Sequence, residues 1–417
     1  MTTSERVVSK TFEVSTRTTS PMLAEAFGLD MGFLNVVIPP LRLPSPLPQI
    51  TYITGESGAG KSTLLSLYGG PSPIDVPAPP LWAWGNTEEE TLAVLSACGL
   101  GDAVLFSATY ATLSDSQKMR ATVAWLLLSD VEELRIDEFL STLDRRTACA
   151  VAFCIQKAIR RTKKRLIAAS AHDDIVSYLQ PDIVVAGEAF PSRWSVTATK
   201  DYSYPFTIAI EQQDKFWYRH SRLAELHYRG KYTGGPKEYF SAMIDGREVG
   251  LLVSKYRPGS KDGRRIARLV THPSYRGIGV GVALVRHYLS LFPDTDTVAS
   301  MARFVPVFEK AGMRRVKDTI QTPPTDIRVR LLEFGFDESL WWSKQYCLAI
   351  AEDNALRQCL APIFVAKGVG YRIAPGGKKS LPDSDTQALI IRHAPTCGRL
   401  IYEARPKHMA RFVGPGL

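Results

Sequence analysis

The run Gly55-Glu56-Ser57-Gly58-Ala59-Gly60-Lys61-Ser62-Thr63 places four residues between a glycine and a Gly-Lys-Ser triplet. That spacing suits phosphate. Glycines let the backbone curl so that successive N–H groups aim at phosphate oxygens, and a helix behind the loop adds the positive end of its dipole. A lysine at the position of Lys61 reaches the β- and γ-phosphates, and a hydroxyl at Ser62 ligates Mg2+. A structural Gly-rich turn needs neither the lysine nor the serine. Gly55, Gly58, Gly60, Lys61, Ser62 and Thr63 are therefore the first candidate ligand residues.

Four further clusters follow in order: Leu113-Ser114-Asp115-Ser116-Gln117, then Leu134-Arg135-Ile136-Asp137-Glu138, then Ser141-Thr142-Leu143-Asp144, then Ser170-Ala171-His172-Asp173. With the phosphate loop they resemble the ABC-type ATPases: signature motif, Walker B, D-loop and switch histidine. The resemblance implies ATP and Mg2+ as cofactors. It implies that Asp137 holds Mg2+ through water with Ser62, that Glu138 polarises the attacking water, and that His172 contacts the γ-phosphate. It also implies that Ser114 and Gln117 belong to a signature facing the nucleotide of a partner subunit, so one head per chain implies a homodimer through the heads. Two departures stand out. Asp115 and Ser116 replace the signature glycines, which puts a carboxylate near phosphate, and no glutamine lies between Ser62 and Ser116 to form a Q-loop. The second departure argues against a transporter and for a regulatory or mechanical ATPase.

A second glycine-rich set lies downstream. Arg265–Val270 reads as a strand, His272-Pro273-Ser274-Tyr275-Arg276-Gly277-Ile278-Gly279-Val280-Gly281 as an anion-binding loop, and Val282–Leu289 as a helix. With Phe304-Val305-Pro306-Val307-Phe308-Glu309-Lys310-Ala311-Gly312-Met313, this unit resembles the GNAT acetyltransferases. The resemblance implies acetyl-CoA or another acyl-CoA, its pyrophosphate on Arg276, Gly277, Gly279 and Gly281, and its pantetheine arm along the amides of Leu269 and Val270. Phe308 stands where many of these enzymes carry a proton-donating tyrosine, and phenylalanine cannot donate. His227 and Tyr228 are the candidate base and acid, since an imidazole works near neutral pH; Arg268 is the candidate for substrate phosphate. His227-Tyr228-Arg229-Gly230, Arg268 and the 306–313 segment are also similar to the Mom-type branch of phage DNA-modifying proteins. That similarity implies DNA as partner and a nucleic-acid base as acceptor.

These residues need strands and helices to position them. Pro48–Thr54 is β-branched and aromatic, which predicts a strand leading into the first loop; Thr63–Leu67 predicts a helix leaving it. Asp245-Gly246-Arg247 predicts a hairpin turn between Tyr239–Ile244 and Val249–Val253. Arg160–Arg165 is strongly basic and reads as a solvated helix end. Pro71–Pro80 reads as an extended connector, and Pro375–Ser384 as a loop. Phe33 is a weak candidate for adenine stacking. Trp341-Trp342 and a helix over Cys347–Val365 suggest a packed C-terminal element.

Composition bounds the rest. The 417 residues are 45% hydrophobic and 22% charged, ordinary for a folded protein. Lys+Arg 51 against Asp+Glu 42 leaves +9, which permits a polyanionic partner without demanding one. The six cysteines include no CxxC pair, so a reduced, cytoplasmic setting is expected. No apolar run approaches the roughly 20 residues of a membrane span, so no membrane contact is expected.

The sequence thus predicts an α/β protein: an ABC-type P-loop ATPase domain over 1–195, a GNAT-like acyltransferase domain over 205–320 and a small C-terminal extension over 325–417. The expected activity is ATP hydrolysis with acyl-CoA-dependent N-acyl transfer to a nucleic-acid base. The alternatives are transfer to a protein or small amine under ATP control, and an ATPase carrying an inactive CoA-binding module.

Overall fold

The computed structural model describes residues 4–13, 20–28, 34–73, 75–189, 192–199, 201–227, 234–260, 262–300, 305–321, 325–366 and 384–416. Phe33, Tyr228, Arg229, Gly230, Phe304 and the loop residues 375–383 lie outside these. Mixed α/β structure runs through the chain, and it divides into two compact units. The first comprises Met1–Thr297, Met301–Arg314 and Phe412–Leu417; the second comprises Val298–Ser300 and Arg315–Arg411.

The first unit opens with β1 (Ser4–Glu13), α1 (Pro21–Phe27) and β2 (Leu34–Ser45), the two strands paired antiparallel. β3 (Ile50–Gly55) and α2 (Lys61–Ser66) follow, then α3 (Glu88–Ala97), α4 (Ala103–Phe106) and α5 (Asp115–Leu128). After these come β4 (Glu133–Ile136), α6 (Arg145–Ile159), β5 (Arg165–Ala169), α7 (Val176–Leu179), β6 (Ile183–Glu188) and β7 (Arg193–Ala198). Their sheet runs β4-β5-β3-β6-β7, parallel except for β7.

Alternation along these strands sorts side chains to two cores. Ile50, Tyr52, Leu134, Ile136, Leu166 and Ala168 face a core shared with α3, α5 and α6. Ile53, Ile167, Ala169 and Val185 face the other, shared with α2 and the β1–β2 pair. The helix behind the phosphate loop and the helix behind Ser114 therefore cover opposite faces of one sheet. The basic run 160–165 is less solvated than the sequence suggests. Arg160 donates to Asp182 at 2.9 Å, Lys164 to the Leu126 carbonyl at 3.0 Å and Arg165 to Glu133 at 3.3 Å.

The same unit continues with β8 (Ala209–Gln213), α8 (Lys215–His220), a 3-10 turn at Arg222–Leu226, β9 (Pro236–Ile244) and β10 (Arg247–Tyr256). β11 (Arg264–Thr271), α9 (Val280–Leu291), most of β12 (Thr295–Ala299) and α10 (Val307–Lys310) follow. β8, β9, β10 and β11 pair antiparallel, with the predicted turn at Asp245-Gly246, and β12 joins β11 in parallel. Buried Glu238 ties β9 to the rest: it accepts from Ser254 on β10, from Arg264 on β11 at 2.9 Å and from Tyr288 on α9 at 3.2 Å.

The second unit carries α11 (Thr325–Glu333), α12 (Lys344–Ile350), α13 (Asn354–Ala366), α14 (Ser384–Arg392), α15 (Ala394–Ala404) and most of β13 (Arg314–Gln321) and β14 (Lys407–Val413). The single helix expected over 347–365 is two. Residues Ala351–Asp353 separate them, and the Asp353 carboxylate accepts from the Leu356 amide at 2.8 Å to start α13 afresh. Of the two tryptophans expected in the core only Trp341 is buried, its indole donating to the Ile401 carbonyl at 2.8 Å; Trp342 is exposed.

Candidate functional site

β3 delivers the first loop. β5 beside it and β4 beyond bring two further strand ends to the same side: Ile53 aligns with Ala169, and Ile136 with Ala168. In a parallel sheet all carboxyl ends lie along one edge, where ligands bind. Gly55, Asp137 and Ser170–His172 therefore share that edge. Gly55 sits so close to β6 that a Cβ would fall 1.9 Å from the Gly187 carbonyl oxygen, so no side chain fits. The buried Lys61 ammonium curls back onto the Gly55 and Glu56 carbonyls at 3.0 and 2.8 Å. Gly60 is the left-handed N-cap of α2, and no side chain caps that helix. The first amides of that helix, at Lys61, Ser62 and Thr63, have no intrahelical acceptor.

At the next strand end the Asp137 carboxylate accepts from the Glu138 amide at 2.9 Å. Glu138 itself is exposed and holds φ 49°, a left-handed conformation that costs a non-glycine residue about 1–3 kcal/mol. The turn is held by Ser141, whose hydroxyl donates to the Glu138 carbonyl at 2.9 Å, and by the Phe139 amide on Ala169. The Tyr52 hydroxyl donates to the His172 carbonyl, and the Ser170 amide to Ile53, so the switch segment is anchored to β3. Arg145 pairs with Asp174 across the same edge at 2.8 Å. Among the described residues no group of three or more His, Cys, Asp or Glu is arranged to hold a metal.

Ser114 and Gln117 do not join that edge within one chain. They form a capping box at the start of α5: the Gln117 amide donates to the Ser114 hydroxyl at 3.4 Å, and the Ser114 amide to the Gln117 side chain at 3.0 Å. Both sit at the end of a helix packed on α3 and α6, across the sheet from α2.

The second cradle is built the same way, from a strand, a glycine loop and a helix. β11 pairs with β12 only from Arg264 to Ile266, then runs on to Thr271 against β10. Among the described residues no strand pairs with its outer edge beyond that point. The His272 amide donates to Val249 on β10 at 2.8 Å. The alternation of antiparallel bonding then turns the Val270 amide to β10 as well, and the Leu269 amide to the outer edge. Of the two amides expected to line the pantetheine arm, Leu269 has the suitable direction. Gly277 and Gly279 hold φ 86° and 109°, and Gly279 is the N-cap of α9, with Gly281 inside its first turn. His272 caps a short turn, its Nδ1 accepting from the Ser274 amide at 3.3 Å. Burial, and then the nearby Arg276 and Arg247 charges, lower its pKa below the usual histidine value.

The sequence motif did not reveal where the Arg276 side chain goes. Its guanidinium pairs with Asp102 at 2.7 Å, at the start of α4 in the other half of the unit. Phe308 is a core residue on α10, 5.2 Å from the Phe412 ring. His227 closes the 3-10 turn, which packs on β10 and β11, so it shares that neighbourhood with Arg268. The Arg268 guanidinium bonds its neighbour's carbonyl, Ala267, at 2.8 Å and its charge reaches Tyr218.

Residues 201–312 match the family model described as "Acetyltransferase (GNAT) family". The protein therefore carries an acetyltransferase domain and is an enzyme, and that domain implies acyl-CoA binding. No curated protein matches the chain. Among solved structures it is similar to cbiO1 from Clostridium perfringens, part of the ABC transporter complex cbiONQ. That likeness has a TM-score of 0.29 and 19% identity, covering 36% of this chain and 76% of that one. It is also similar to an IAA acetyltransferase from Bacillus cereus, with a TM-score of 0.23 and 16% identity, covering 28% of this chain and 82% of that one. Among the described residues no helix is long and apolar enough to cross a membrane.

Proposed function

We propose that the protein binds and hydrolyses ATP and transfers an acyl group from acyl-CoA to an amine. One observation supports this reading: two strand–glycine loop–helix turns lie in one compact unit, the second beside a strand edge that no other described strand pairs. The first cradle takes the nucleotide triphosphate on the loop amides and Lys61, with Mg2+ on Ser62 and, through water, Asp137. Glu138 orients the attacking water and His172 contacts the terminal phosphate. Ser114 and Gln117 act on the nucleotide of a second copy, because α5 and α2 cover opposite faces of the sheet. Two heads close around two nucleotides.

The second cradle takes the pyrophosphate on the amides of Gly277, Ile278 and Gly279 and the start of α9. The pantetheine adds to the outer edge at Leu269 as an extra strand. Acyl-CoA, when bound, supplies a thioester: the C–N bond forms as C–S breaks, and the proton lost by the amine ends on the departing thiolate. His227 takes that proton from the amine. Arg268 orients an anionic group of the acceptor.

The acceptor we favour is an exocyclic amine of a nucleic-acid base. The net charge of +9 and the residues shared with Mom-type proteins support it. Mass spectrometry of nucleosides from DNA co-expressed with the protein tests it, with Gly277→Asp as the control. A new base mass absent from the control supports a base acceptor. An unchanged profile from soluble, CoA-binding protein rejects the base and leaves a protein or small amine. A second reading has a specific observation behind it: buried Phe308 supplies no acid for the thiolate, as in a module that binds CoA without turnover.

A further inference from the structure

The anion loop of the transferase half is anchored almost carbonyl by carbonyl to the other half. Arg120 donates to the Pro273 carbonyl at 3.2 Å and to Ser274 at 2.9 Å. The Cys154 thiol donates to Arg276 at 2.9 Å, and the Lys157 ammonium to Gly277 at 2.9 Å. Tyr204, just before β8, donates to Ile278 at 2.7 Å. The fit is close: a Cβ on Gly277 would stand 2.7 Å from the Cys154 sulfur.

These bonds decide where the loop's amides point. In a planar trans peptide the N–H of one residue points opposite to the C=O of the residue before it. Carbonyls of 276, 277 and 278 drawn towards Cys154, Lys157 and Tyr204 therefore aim the N–H groups of Gly277, Ile278 and Gly279 the other way. That direction is the cradle.

Three of the four anchors, Arg120, Cys154 and Lys157, sit on two helices that begin at the nucleotide motifs. Arg120 is on α5, whose N-cap is Ser114; it lies six residues on, about 9 Å along the axis. Cys154 and Lys157 are on α6, whose N-cap is Asp144 of the D-loop-like segment. Arg120 is also costly to hold. It is 2% exposed, its Nε has no partner, and its other bonds go to carbonyls, including Gly99 at 3.0 Å. Its hydrogen bonds reach carbonyls, the like charge of Arg276 also acts on it, and no carboxylate bonds it among the described residues, so this buried charge is poorly compensated.

We infer that Arg120, with Cys154 and Lys157, is a positioning residue for the acyl-CoA site, so that nucleotide bound at Ser114 and the D-loop changes acyl-CoA affinity through α5 and α6. This rests on the reading that both ligands bind.

Calorimetry on the full chain tests it, with CoA and a non-hydrolysable ATP analogue plus Mg2+ as probes. The expected result is a CoA affinity that shifts at least ~5-fold when the analogue is present, in the usual range for coupled sites. CoA must then shift the analogue's affinity by the same factor. Arg120→Met is expected to bind CoA with that shift gone, and Lys157→Met with it reduced. Two ligands that bind the wild type independently would overturn the inference while leaving the proposed function standing. Failure of wild-type protein to bind one of them would sink the proposed function and this inference with it. Should Arg120→Met fail to fold, the reciprocal wild-type shifts decide alone.

Discussion

Arg276 and Asp102 form an ion pair at 2.7 Å, with side chains only 16% and 25% exposed, between an anion-loop arginine and the N-cap of α4. The arginine of the second glycine-rich loop therefore serves to join the two halves, and under the proposed function it is the loop's amides that meet the ligand. Asp102→Asn is expected to destabilise the protein more than an exposed ion pair does, by about 3 kcal/mol or more, because it strands a largely buried cation. Urea denaturation checks it; a change under 0.5 kcal/mol would contradict this account.

Gly277→Ala and Gly281→Ala should separate sharply. A Cβ at 277 meets Cys154 at 2.7 Å and requires φ 86°, whereas at 281 its nearest contact is an ordinary 3.4 Å from Val307. The left-handed backbone alone costs about 1–2 kcal/mol, and the clash adds to it. The Gly277 variant should lose both thermal stability and CoA affinity; the Gly281 variant should keep both.

Lys61→Ala is expected to abolish binding of a fluorescent ATP analogue, since Lys61 is the cation lying on the first loop. Glu138→Gln is expected to keep binding but to slow phosphate release by about 10²-fold or more, the usual worth of a positioned base. With ATP that variant should also double its mass by light scattering. Unimpaired hydrolysis would remove Glu138 from its proposed role.

Phe308→Ala should cost about 3–5 kcal/mol, the range for emptying a buried aromatic site. Phe308→Tyr should also destabilise, by about 1–3 kcal/mol if the hydroxyl finds no partner beside Phe412. It should not raise turnover, because the ring faces the core. A clear gain in acyl transfer would show that the position opens to the ligand.

The lowered pKa of His272 gives a pH signature. A folded-state pKa below the unfolded one means protons favour the unfolded chain, so this stability is present above pH 6.5 and is lost as pH falls below it. Melting temperatures between pH 7.5 and 5.5 should fall more for wild type than for His272→Asn. Parallel profiles would rule out this contribution.

Both glycine loops, the order of motifs around the first and the strand–loop–helix context of each were legible in the sequence, because these depend on local backbone freedom and period-two patterning. Residues Ile50–Gly55 and Arg264–Thr271 are strands close to the expected limits for that reason. The break at Ala351–Asp353 was not legible, because a local cap at Asp353 competes with a continuous apolar pattern.

The sequence by itself determined that two strand–glycine loop–helix turns share the chain, and where each lies. Only the tertiary structure decided what holds the second loop in shape. Arg120 and Pro273 lie 153 positions apart, and Cys154 and Arg276 122 apart. Nothing in the spacing of either pair marks it. A buried arginine reads in sequence as one more polar residue on a helix, and a backbone carbonyl has no letter of its own. Their meeting is set by the packing of α5 and α6 against the loop.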